Sequence, residues 1–451
     1  MSDTQRQALA ADGTQAVQHG DLAQGQAPCG RMKLLLYGIN FAPEMTGIGK
    51  YTGEMAQWLA DAGHEVRVIT APPYYPAWKV GEGHSARRYR TESWQGVRVM
   101  RAPLWVPHQP GGLKRLLHLG SFALSSLPLL CAQWRWKPDV VWVVEPPLMC
   151  APAAVAFASL RGASSWLHIQ DYEVDAAFDL GLIQGPTLRR WVERAERWLM
   201  RRFDRVSTIS GRMVDRARRK GVAAERVLHF PNWVDISGIT PLAAPSAYRA
   251  ELGLAPDAVV ALYSGNMGNK QGLETLAEVA RLLQDEPRIQ LVLGGNGSGR
   301  ADLQARCAGL PNVRFLDLQP LDRLNDWLGL ADVHLLPQRA DAADLVMPSK
   351  LTGMLASGRA VLATALPGTE LCRVVVQDAA CGLVVPPENP AALADALRAL
   401  AADPVRRAEW GANGRRYAEA ELSQDVVLRR FETQLLASGQ KGETLCATSS
   451  S

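Results

Sequence analysis

The pattern of apolar and polar positions begins, after a polar N-terminal stretch, with a strand–helix–strand unit. The apolar run "KLLLYGIN" starts at Lys33, and the loop "FAPEMTGIGKYTG" follows it. In the next segment, "EMAQWLADAGHEVRVIT", Met55, Leu59 and Ala62 recur at helical spacing, and Gly63 ends the predicted helix before a second β-branched run. This order predicts two parallel strands joined by a right-handed helical crossover.

The same alternation continues through both halves of the chain. Short β-branched or aromatic runs are separated by helical stretches and by Gly or Pro. These predicted strands are 139–144, 164–170, 205–210 and 226–232 in the first half, and 259–264, 289–295, 313–317, 333–337, 360–364 and 382–387 in the second. Between the halves, "DISGITPLAAPSA" (235–247) has no period, so we interpret it as a hinge between domains.

This pattern predicts an α/β protein with two doubly wound domains that face each other across a cleft, because ligands of such sheets bind at the carboxyl ends of the strands. The predicted domains are residues 32–238 and 239–415, followed by a helix at 416–437 that packs back on the first domain. Residues 1–31 and 438–451 are predicted to be disordered tails. The first tail lacks an apolar h-region, so it is not a secretory signal.

Composition narrows the possible chemistry of this globular chain of 451 residues. Its seven cysteines are scattered without a C-x-x-C pair, which argues against a zinc site or a disulfide framework and suits a reducing cytoplasm. From Arg31 to Thr240 there are 28 Lys and Arg against 18 Asp and Glu, a net charge of +10, whereas the residues from Pro241 onward carry 20 against 24, a net of −4. The basic first half predicts an anionic partner, either nucleic acid or a membrane surface.

Three Gly-containing turns join a predicted strand to a predicted helix, at residues 43–53, 262–274 and 346–358. Free N–H groups at a helix N-terminus favour anions, and glycine lets the backbone approach a ligand closely. Lys270 and Lys350 would add positive charge beside the second and third turns, where a diphosphate could bind. The first turn is not a full G-x-G-x-x-G, because Thr52 replaces the third glycine, and the Walker pattern of ATPases is absent.

The order of the longer motifs is that of a known family. "TGIGKYTGEM", "LHIQDYEVDA", "FPNWVD", "YSGNMGNKQGLE" and "PSKLTGMLASG" resemble the family-four retaining glycosyltransferases of the GT-B fold, and most closely the WcaI-type enzymes of colanic acid and related exopolysaccharide synthesis. The resemblance covers residues 32–436. It implies two Rossmann-like domains facing across a cleft, and transfer of a sugar from a nucleotide diphosphate sugar to a glycan acceptor with retained anomeric configuration. It also implies that the enzyme needs no metal ion or other cofactor.

The resemblance assigns roles to individual residues. It places Asp171, Gln170 and His168 at the catalytic centre. Asp344, which is close to the position of the family's first glutamate but out of register with it, is the candidate for the ribose contact. The residues that it places on the donor diphosphate are Lys270, Asn266, Gly268, Gly47, Gly49, Ser349 and Lys350. Two features depart from the family. Asn266 stands where most relatives have arginine, and the paired glutamates of the family are absent, since their positions hold Leu345 and Gly353.

Structural interpretations compete with some of these roles. His168 lies inside an apolar strand and fits a core histidine, and Asp171 fits a helix cap. Asn232 and Asp235 of "PNWVD" fit a corner in which both side chains bond local backbone. The uncharged run 116–134 is long enough for a membrane span, but its polar residues favour a buried or interfacial helix.

The expected partners follow from these observations. They are a nucleotide sugar donor, a lipid-linked oligosaccharide acceptor and an anionic membrane surface, but no nucleic acid. The basic amphipathic stretch 188–205, with its tryptophans, would contact lipid head groups, which predicts a cytoplasmic protein bound peripherally to the inner face of the cell membrane. Two alternatives stay open: a nucleotide-sugar epimerase or phosphorylase of GT-B architecture, and a non-catalytic nucleotide-sugar-binding assembly subunit. Sugar transfer to a lipid-linked acceptor would separate them.

Overall fold

Two parallel α/β sheets dominate the computed structural model, which describes residues 30–108, 111–174, 186–268, 271–340 and 348–439. The strands of the first sheet are β1 (Lys33–Tyr37), β2 (Glu65–Thr70), β3 (Arg90–Trp94), β4 (Val97–Arg101), β5 (Val140–Glu145), β6 (Ser164–Ile169), β7 (Arg205–Thr208) and β8 (Val227–His229). Those of the second are β9 (Val259–Ser264), β10 (Ile289–Gly294), β11 (Val313–Leu316), β12 (Val333–Leu336), β13 (Ala360–Thr364) and β14 (Gly382–Val385). We call the two parts of the chain built on these sheets the first and second lobes.

Helices fill the intervals between strands. In the first lobe they are α1 (Gly47–Asp61), α2 (Gly112–Ala132), α3 (Ala151–Arg161), α4 (Pro186–Met200) and α5 (Gly211–Arg219). Those that follow are α6 (Tyr248–Glu251), α7 (Glu274–Leu282), α8 (Arg300–Arg306), α9 (Leu324–Gly329), α10 (Lys350–Ala356), α11 (Glu370–Arg373), α12 (Pro390–Ala402), α13 (Pro404–Tyr417) and α14 (Gln424–Gly439).

The first sheet has the order β3-β4-β2-β1-β5-β6-β7-β8, and only the β3–β4 pair is antiparallel. This hairpin was not among the strands predicted from the sequence. Its turn residues, Gln95 and Gly96, both have positive φ, as the two-residue turns of hairpins require. The edge strand β3 is mostly solvent-exposed and polar, so it lacks the apolar run by which the other strands were found.

The second sheet has the order β11-β10-β9-β12-β13-β14 and is parallel throughout. In chain order this is 3-2-1-4-5-6, the arrangement of dinucleotide-binding domains. The direction of winding reverses between β9 and β12, and ligands of such sheets bind outside the carboxyl ends of the strands at this point. The predicted turn after β9 therefore lies at the position where the topology favours a ligand.

The central strands of each sheet are buried on both faces, as is usual for parallel sheets. In β1, Leu34 and Leu36 pack into one apolar cluster, and Leu35 and Tyr37 pack into another on the opposite face. Strand β9 is divided in the same way between the two clusters of the second lobe. Because both faces are covered, these strands appear in the sequence as continuous apolar runs rather than as alternating patterns.

The C-terminal helix α14 packs on the first lobe although it follows the second in the chain. Phe431 is 3% exposed and belongs to the same cluster as Leu34 and Trp142, and its ring stacks on Phe230 with centroids 4.3 Å apart. Where the chain returns, Val234 donates its N–H to the Leu422 carbonyl at 2.8 Å. The two segments that connect the lobes therefore run side by side.

Candidate functional site

The turn after β9 is built by close backbone contact with the turn after β10. Gly265 donates its N–H to the Gly294 carbonyl at 3.0 Å, and Met267 donates to the Asn296 carbonyl at 2.9 Å. A Cβ at Gly295 would collide with the Gly265 carbonyl, and Gly295 has a φ of +135°. Both the clash and the backbone conformation therefore exclude any residue other than glycine at this position. The glycines of "LGGNGSGR" thus support the turn after β9.

Lys350 lies directly against this turn. Its Nζ donates to the Tyr263 hydroxyl at 2.7 Å, and that hydroxyl donates to the Asn266 carbonyl at 2.5 Å. A Cβ on Gly265 would lie 2.5 Å from the Lys350 Cε, so the lysine side chain packs against the turn, and the φ of +138° at Gly265 favours glycine there. The lysine at the start of α10 is therefore attached to the main chain of the turn after β9 through one tyrosine hydroxyl.

The ammonium group of Lys350 is placed so that it can bind an anion. Burial lowers the pKa of Lys350 to about 8, because the charged form loses hydration inside the protein. Within the described residues its hydrogen-bond acceptors are the Tyr263 hydroxyl and, at 3.4 Å, the Gln271 Oε1. An ammonium group has three N–H donors, so one remains for a ligand.

Other residues predicted to bind the donor occupy different places. Asn266 and Gly268 lie in the turn after β9, Asn266 being exposed, and Ser349 precedes α10. Lys270 and Asp344 fall outside the described residues. A Cβ at Gly353, where the family has its second glutamate, would face Leu328 and Ile239, so this position points into the apolar core of the second lobe.

The first-lobe loop before α1 is held by a buried carboxylate. Glu44 accepts the backbone N–H groups of Tyr74 and Tyr75, both at 3.0 Å, and burial raises its pKa. Gly49, in the first turn of α1, lies so close that a Cβ would come 2.5 Å from the Glu44 Oε2. Gly47 has φ of +61°, which favours glycine at the first residue of the helix.

His168 and Gln170 form a buried hydrogen-bond chain. Burial lowers the pKa of His168 to about 3, so the imidazole is neutral. Its Nε2 is 3.0 Å from the Gln170 amide nitrogen, which can only donate, so the other ring nitrogen carries the proton and donates to the Ser207 hydroxyl at 2.9 Å. His168 also stacks on Trp142. The structure thus places His168 in the core, where it positions Gln170.

Gln170 in turn holds Asn232. The Gln170 amide donates to the Asn232 Oδ1 at 3.0 Å and accepts from the Asn232 Nδ2 at 3.3 Å. The interpretation that Asn232 bonds only local backbone was therefore wrong, because its partner lies 62 residues away. The same interpretation is confirmed for Asp235, which accepts the N–H groups of Ser237 and Gly238. Asp171 follows Gln170 beyond the end of β6 and is half-buried.

A cleft between the lobes brings several of these elements together. Asn232 from the first lobe and Ser349 and Thr352 from the second line the same cavity. The Tyr51 hydroxyl of α1 lies close enough to the Thr352 side chain for the two to interact. The helix that begins at Lys350 is therefore in contact with α1 of the first lobe, whose first turn carries Gly47 and Gly49.

The Glu370 carboxylate links the two lobes at another point. Glu370 of α11 is 7% exposed and accepts the N–H groups of Gly211 and Arg212, each at 3.0 Å, at the N-terminus of α5. Arg373 donates to the same carboxylate at 2.8 Å. A negative charge at this position also complements the helix dipole, so the contact stabilises the arrangement of lobes seen in the structure.

Sequence reasoning missed Tyr263, Glu44 and Glu370. Tyr263 is the aromatic residue before a Ser-Gly turn in an otherwise aliphatic strand, which is a weak signal for a polar role. Glu44 is the lone carboxylate of a Gly-rich loop, and its burial was the information that the sequence lacked. Among the described residues, no group of three or more His, Cys, Asp or Glu side chains is arranged to hold a metal ion.

Comparison with known sequences finds two matching domains. Residues 46–233 match the family profile described as a glycosyl transferase 4-like domain, and residues 258–403 match that of glycosyl transferases group 1. The chain is 48% identical over 406 residues to the putative colanic acid biosynthesis glycosyl transferase WcaI of Escherichia coli (strain K12), covering 89% of this chain and 98% of the relative. It is 31% identical over 401 residues to a D-inositol 3-phosphate glycosyltransferase of Streptomyces bingchenggensis, covering 83% and 81%.

Solved structures share the architecture at low sequence identity. The sucrose-phosphate synthase of Thermosynechococcus elongatus aligns with a TM-score of 0.68 and 19% identity, covering 90% of this chain and 100% of that one. Anabaena Alr3699/HepE, solved in complex with UDP, aligns with a TM-score of 0.67 and 14% identity over the same shares. With the two strand orders, these likenesses confirm the predicted GT-B fold of two Rossmann-like domains.

Proposed function

This chain belongs to the glycosyltransferase family of those relatives, and on that premise we propose that it moves a sugar from a nucleotide diphosphate sugar to a lipid-linked glycan acceptor during exopolysaccharide synthesis, with retained anomeric configuration. The observation that best supports a donor site here is the pair of consecutive hydrogen bonds from Lys350 to Tyr263 and from Tyr263 to the Asn266 carbonyl. It attaches a cation to a glycine turn at the point where the winding of the second sheet reverses. That is the place at which this topology favours a nucleotide.

In the proposed reaction, the bond between the anomeric carbon and the diphosphate oxygen breaks as a bond to the acceptor oxygen forms. The acceptor's hydroxyl proton leaves with the diphosphate. Negative charge therefore develops on the departing phosphate, and Lys350 with the amides of the turn after β9 would stabilise it. By the family resemblance, Asn266 stands where most relatives have arginine, which would leave Lys350 with a larger share of this charge. Lys270, by the family resemblance, adds a second cation.

Retention of configuration requires the acceptor oxygen to approach from the face that the diphosphate leaves. The first turn of α1, with Gly47 and Gly49, and the segment with Asp171 would form the acceptor side of this arrangement. In this scheme Gln170 and His168 are positioning residues, because both are buried and their hydrogen bonds serve Asn232. Asn232 lines the cavity between the lobes and would contact the sugar.

We also propose that the reaction needs no metal ion. Protein cations and helix N-termini can neutralise a diphosphate without a divalent ion when they are held in place beforehand. The attachment of Lys350 to Tyr263 supplies such a cation. Chelation with EDTA is therefore expected to leave the transfer rate unchanged, and a rate that falls with EDTA and recovers with Mg²⁺ would contradict this part of the proposal.

The experiment that tests the function has two stages. Thermal shift with a panel of nucleotide sugars identifies the donor, because a bound ligand raises the melting temperature with its concentration. The selected donor is then incubated with membrane extracts that contain lipid-linked glycans, and NMR of the product gives the anomeric configuration. Absence of transfer from every donor that binds would overturn the enzyme proposal, and an inverted product would overturn retention.

The surface of the first lobe carries exposed apolar side chains beside arginines, which supports a lipid-linked acceptor and a location at a membrane. Trp191 and Trp198 of α4 are 65% and 57% exposed, and four arginines surround Trp198. On α2, Leu117 and Leu124 are also exposed. Exposed aromatic and apolar side chains beside arginines suit the boundary between anionic head groups and acyl chains. We propose that the protein lies peripherally on the cytoplasmic face of the cell membrane.

Helix α2 has a second possible interpretation. Residues 112–135 are the one helix in the described part of the chain that is long and apolar enough to cross a membrane, and 33% of its most apolar window is buried in the protein. Length and composition alone are weak evidence for a span, because core helices pass the same test. Its buried residues His118 and Ser126 are bonded to the first lobe, which favours a helix that lies on the membrane.

Reversing two charges on α4 is expected to weaken membrane binding. Arg190→Glu with Arg194→Glu replaces exposed cations, and each lost cation removes about 1 kcal/mol of attraction near an anionic surface. Cosedimentation with phosphatidylcholine vesicles that contain about one third phosphatidylglycerol measures the bound fraction at low and high salt. The control, Arg406→Glu with Arg416→Glu, places the same change in charge on the second lobe. Equal losses in the two variants would contradict the proposed surface.

The two alternative functions, an epimerase or phosphorylase of GT-B architecture and a non-catalytic nucleotide-sugar-binding subunit, are less well supported. Among the described residues that line the cavity between the lobes, the Glu370 carboxylate and the His229 imidazole are both hydrogen-bonded to backbone groups, whereas an epimerase needs such groups at the reacting carbon. The absent glutamate pair suggested a non-catalytic subunit. However, Gly353 faces the core and Lys350 supplies a cation at the turn, so the missing glutamates do not leave the donor site without charge.

A further inference from the structure

A groove on the first lobe lies apart from the turn after β9. It has a volume of about 580 Å³, within the range of small-ligand sites. One wall follows the carboxyl end of β2 and includes Trp78 and Lys79, and the other follows the carboxyl end of β4 and includes Trp105 and His108. Arg87, just before β3, also lines it. The groove therefore opens at the ligand-binding edge of the first sheet.

The lining combines aromatic rings with positive charge. Trp105 is 47% exposed, although a tryptophan buries a large apolar area when it packs. Lys79 and Arg87 are cations, and the described residues that line the groove include no Asp or Glu. Aromatic rings accommodate the apolar face of a sugar ring, and arginine and lysine bind phosphate through charge-assisted hydrogen bonds. The groove therefore suits a ligand with a sugar ring and a phosphate group.

The exposed tryptophan is held by its backbone rather than by burial. The Trp105 N–H donates to the Ser121 hydroxyl at 3.1 Å, and its carbonyl accepts from the His118 Nδ1 at 2.7 Å. Ser125 donates to the Pro103 carbonyl at 2.6 Å, which attaches the same segment to α2 again. A segment whose backbone is fixed before the ligand arrives loses little conformational freedom on binding.

A buried acceptor atom lies beneath the groove. His118 is fully buried and packs against the Trp78 ring, with centroids 5.2 Å apart. Because its Nδ1 donates to Trp105, the Nε2 is left as an acceptor, and it has no hydrogen-bond partner among the described residues. A buried polar atom without a partner is costly, and such atoms often mark a site for a ligand or an ordered water.

The rim of the groove is apolar on the side of α2. Leu117, Ser121 and Leu124 are spaced so that they share one face of the helix, and the two leucines are 55% and 72% exposed. Ser121 lines the groove, so the leucines lie next to it. A ligand whose polar end occupies the groove could thus extend an acyl or prenyl chain along α2.

From these observations we propose that the groove between the β2 and β4 exits binds the glycosyl diphosphate end of the lipid-linked acceptor, with Trp105 against the sugar and Lys79 and Arg87 on the diphosphate. This inference rests on the proposed function for the role of the ligand, but its binding chemistry can be tested separately. The lipid chain leaves the groove along Leu117 and Leu124 toward the membrane.

The test measures binding of soluble probes by isothermal titration calorimetry. The probes are a glucosyl decyl diphosphate, decyl glucoside and inorganic pyrophosphate. Trp105→Ala is expected to weaken the first two by about fivefold to tenfold, the scale of one aromatic contact. Arg87→Gln is expected to weaken the first and third and to leave decyl glucoside unchanged. Trp134→Ala is the matched control, because Trp134 is 45% exposed and lies outside the groove.

Each titration is repeated in a Lys350→Met background, so that diphosphate bound at the turn after β9 is accounted for. If Trp105→Ala and Arg87→Gln bind all three probes as tightly as the wild type, the groove proposal is overturned. If probe binding depends on both residues while no donor sugar is ever transferred, the groove stands and the proposed function falls. The two proposals therefore fail in different experiments.

Discussion

Lys350→Met is expected to lower kcat/KM for the donor by about 10²–10³, or about 2.7–4 kcal/mol, the usual loss when one stabilising group at a developing oxyanion is removed. Methionine keeps the length and apolar stem of the side chain but removes the charge. The group that it would no longer neutralise is the departing diphosphate. Steady-state rates with the identified donor measure the effect, and titration with UDP or GDP separates binding from catalysis.

The fold of the variant is a necessary control. The Tyr263 hydroxyl loses one hydrogen bond in Lys350→Met but keeps its bond to the Asn266 carbonyl. Tyr263→Phe is therefore the informative companion, because it keeps Lys350 charged while detaching it from the turn. An intermediate loss in Tyr263→Phe would support positioning of the ammonium by the tyrosine. Nucleotide binding and turnover equal to wild type in Lys350→Met would refute the assignment of the donor turn.

A pH profile gives an independent signature of Lys350. Its pKa is lowered from 10.5 to about 8 by burial, so in the free protein the ammonium is charged below pH 8 and neutral above it. A bound diphosphate favours the charged form, so nucleotide affinity should be constant below pH 8 and fall up to tenfold per pH unit above it. Lys350→Arg keeps its charge throughout and should lose this step.

The same shift has the opposite effect on the stability of the free protein. Between pH 8 and 10.5 the unfolded chain holds a proton on this lysine that the folded protein lacks, so the contribution of Lys350 to stability rises with pH over that interval. Above pH 8 the protein should therefore bind nucleotide more weakly while Lys350 itself destabilises the fold less. A loss of affinity caused by unfolding would instead be accompanied by a falling melting temperature.

Phe431→Ala is expected to destabilise the first lobe by about 3–5 kcal/mol, the range for truncation of a buried phenylalanine. Phe431 stacks on Phe230 and packs edge-on against Trp166, with centroids 5.1 Å apart. Its loss leaves a cavity among the aromatic rings that surround it. The prediction is specific in location, because the residue belongs to α14, which follows the second lobe in the chain but completes the core of the first.

Hydrogen exchange locates the effect, since a protein with two lobes need not unfold in a single transition. Amides of β5 and β6 should lose protection in Phe431→Ala, while those of β9 and β10 should keep it. Thr433→Ala, an exposed position on the same helix, is the control and should stay within about 0.5 kcal/mol of wild type. Loss of protection confined to the second sheet would contradict the packing of α14 described above.

The central strands were predictable because parallel strands covered on both faces must be apolar along their whole length. Strand β9 was predicted at residues 259–264 and is found at Val259–Ser264, whereas the exposed, polar edge strand β3 gave no such signal. Positions of glycine were equally informative. Gly47, Gly265 and Gly295 have positive φ, a conformation that other residues rarely adopt, so glycine in the sequence predicts the turns at these positions.

The roles of individual side chains were harder to predict from the sequence. His168 was placed at the catalytic centre by resemblance and is found in the core, because its partners Ser207 and Trp142 come from neighbouring strands. Gln170 was assigned with it and is found holding Asn232, 62 residues away. Burial and hydrogen bonding decide whether a polar side chain acts on a ligand or supports another residue, and both depend on segments far apart in the chain.

By itself the sequence determined the alternation of strands and helices, the two-domain organisation that alternation implies, and the family, since each of these is carried by local patterns and short motifs. Only the tertiary structure decided that Lys350 reaches Tyr263 across 87 residues, that Glu370 binds the N-terminus of α5, and that Phe431 completes the first core. The physical reason is that local propensity acts over a few residues, whereas charge neutralisation and core packing depend on which surfaces meet when the whole chain folds.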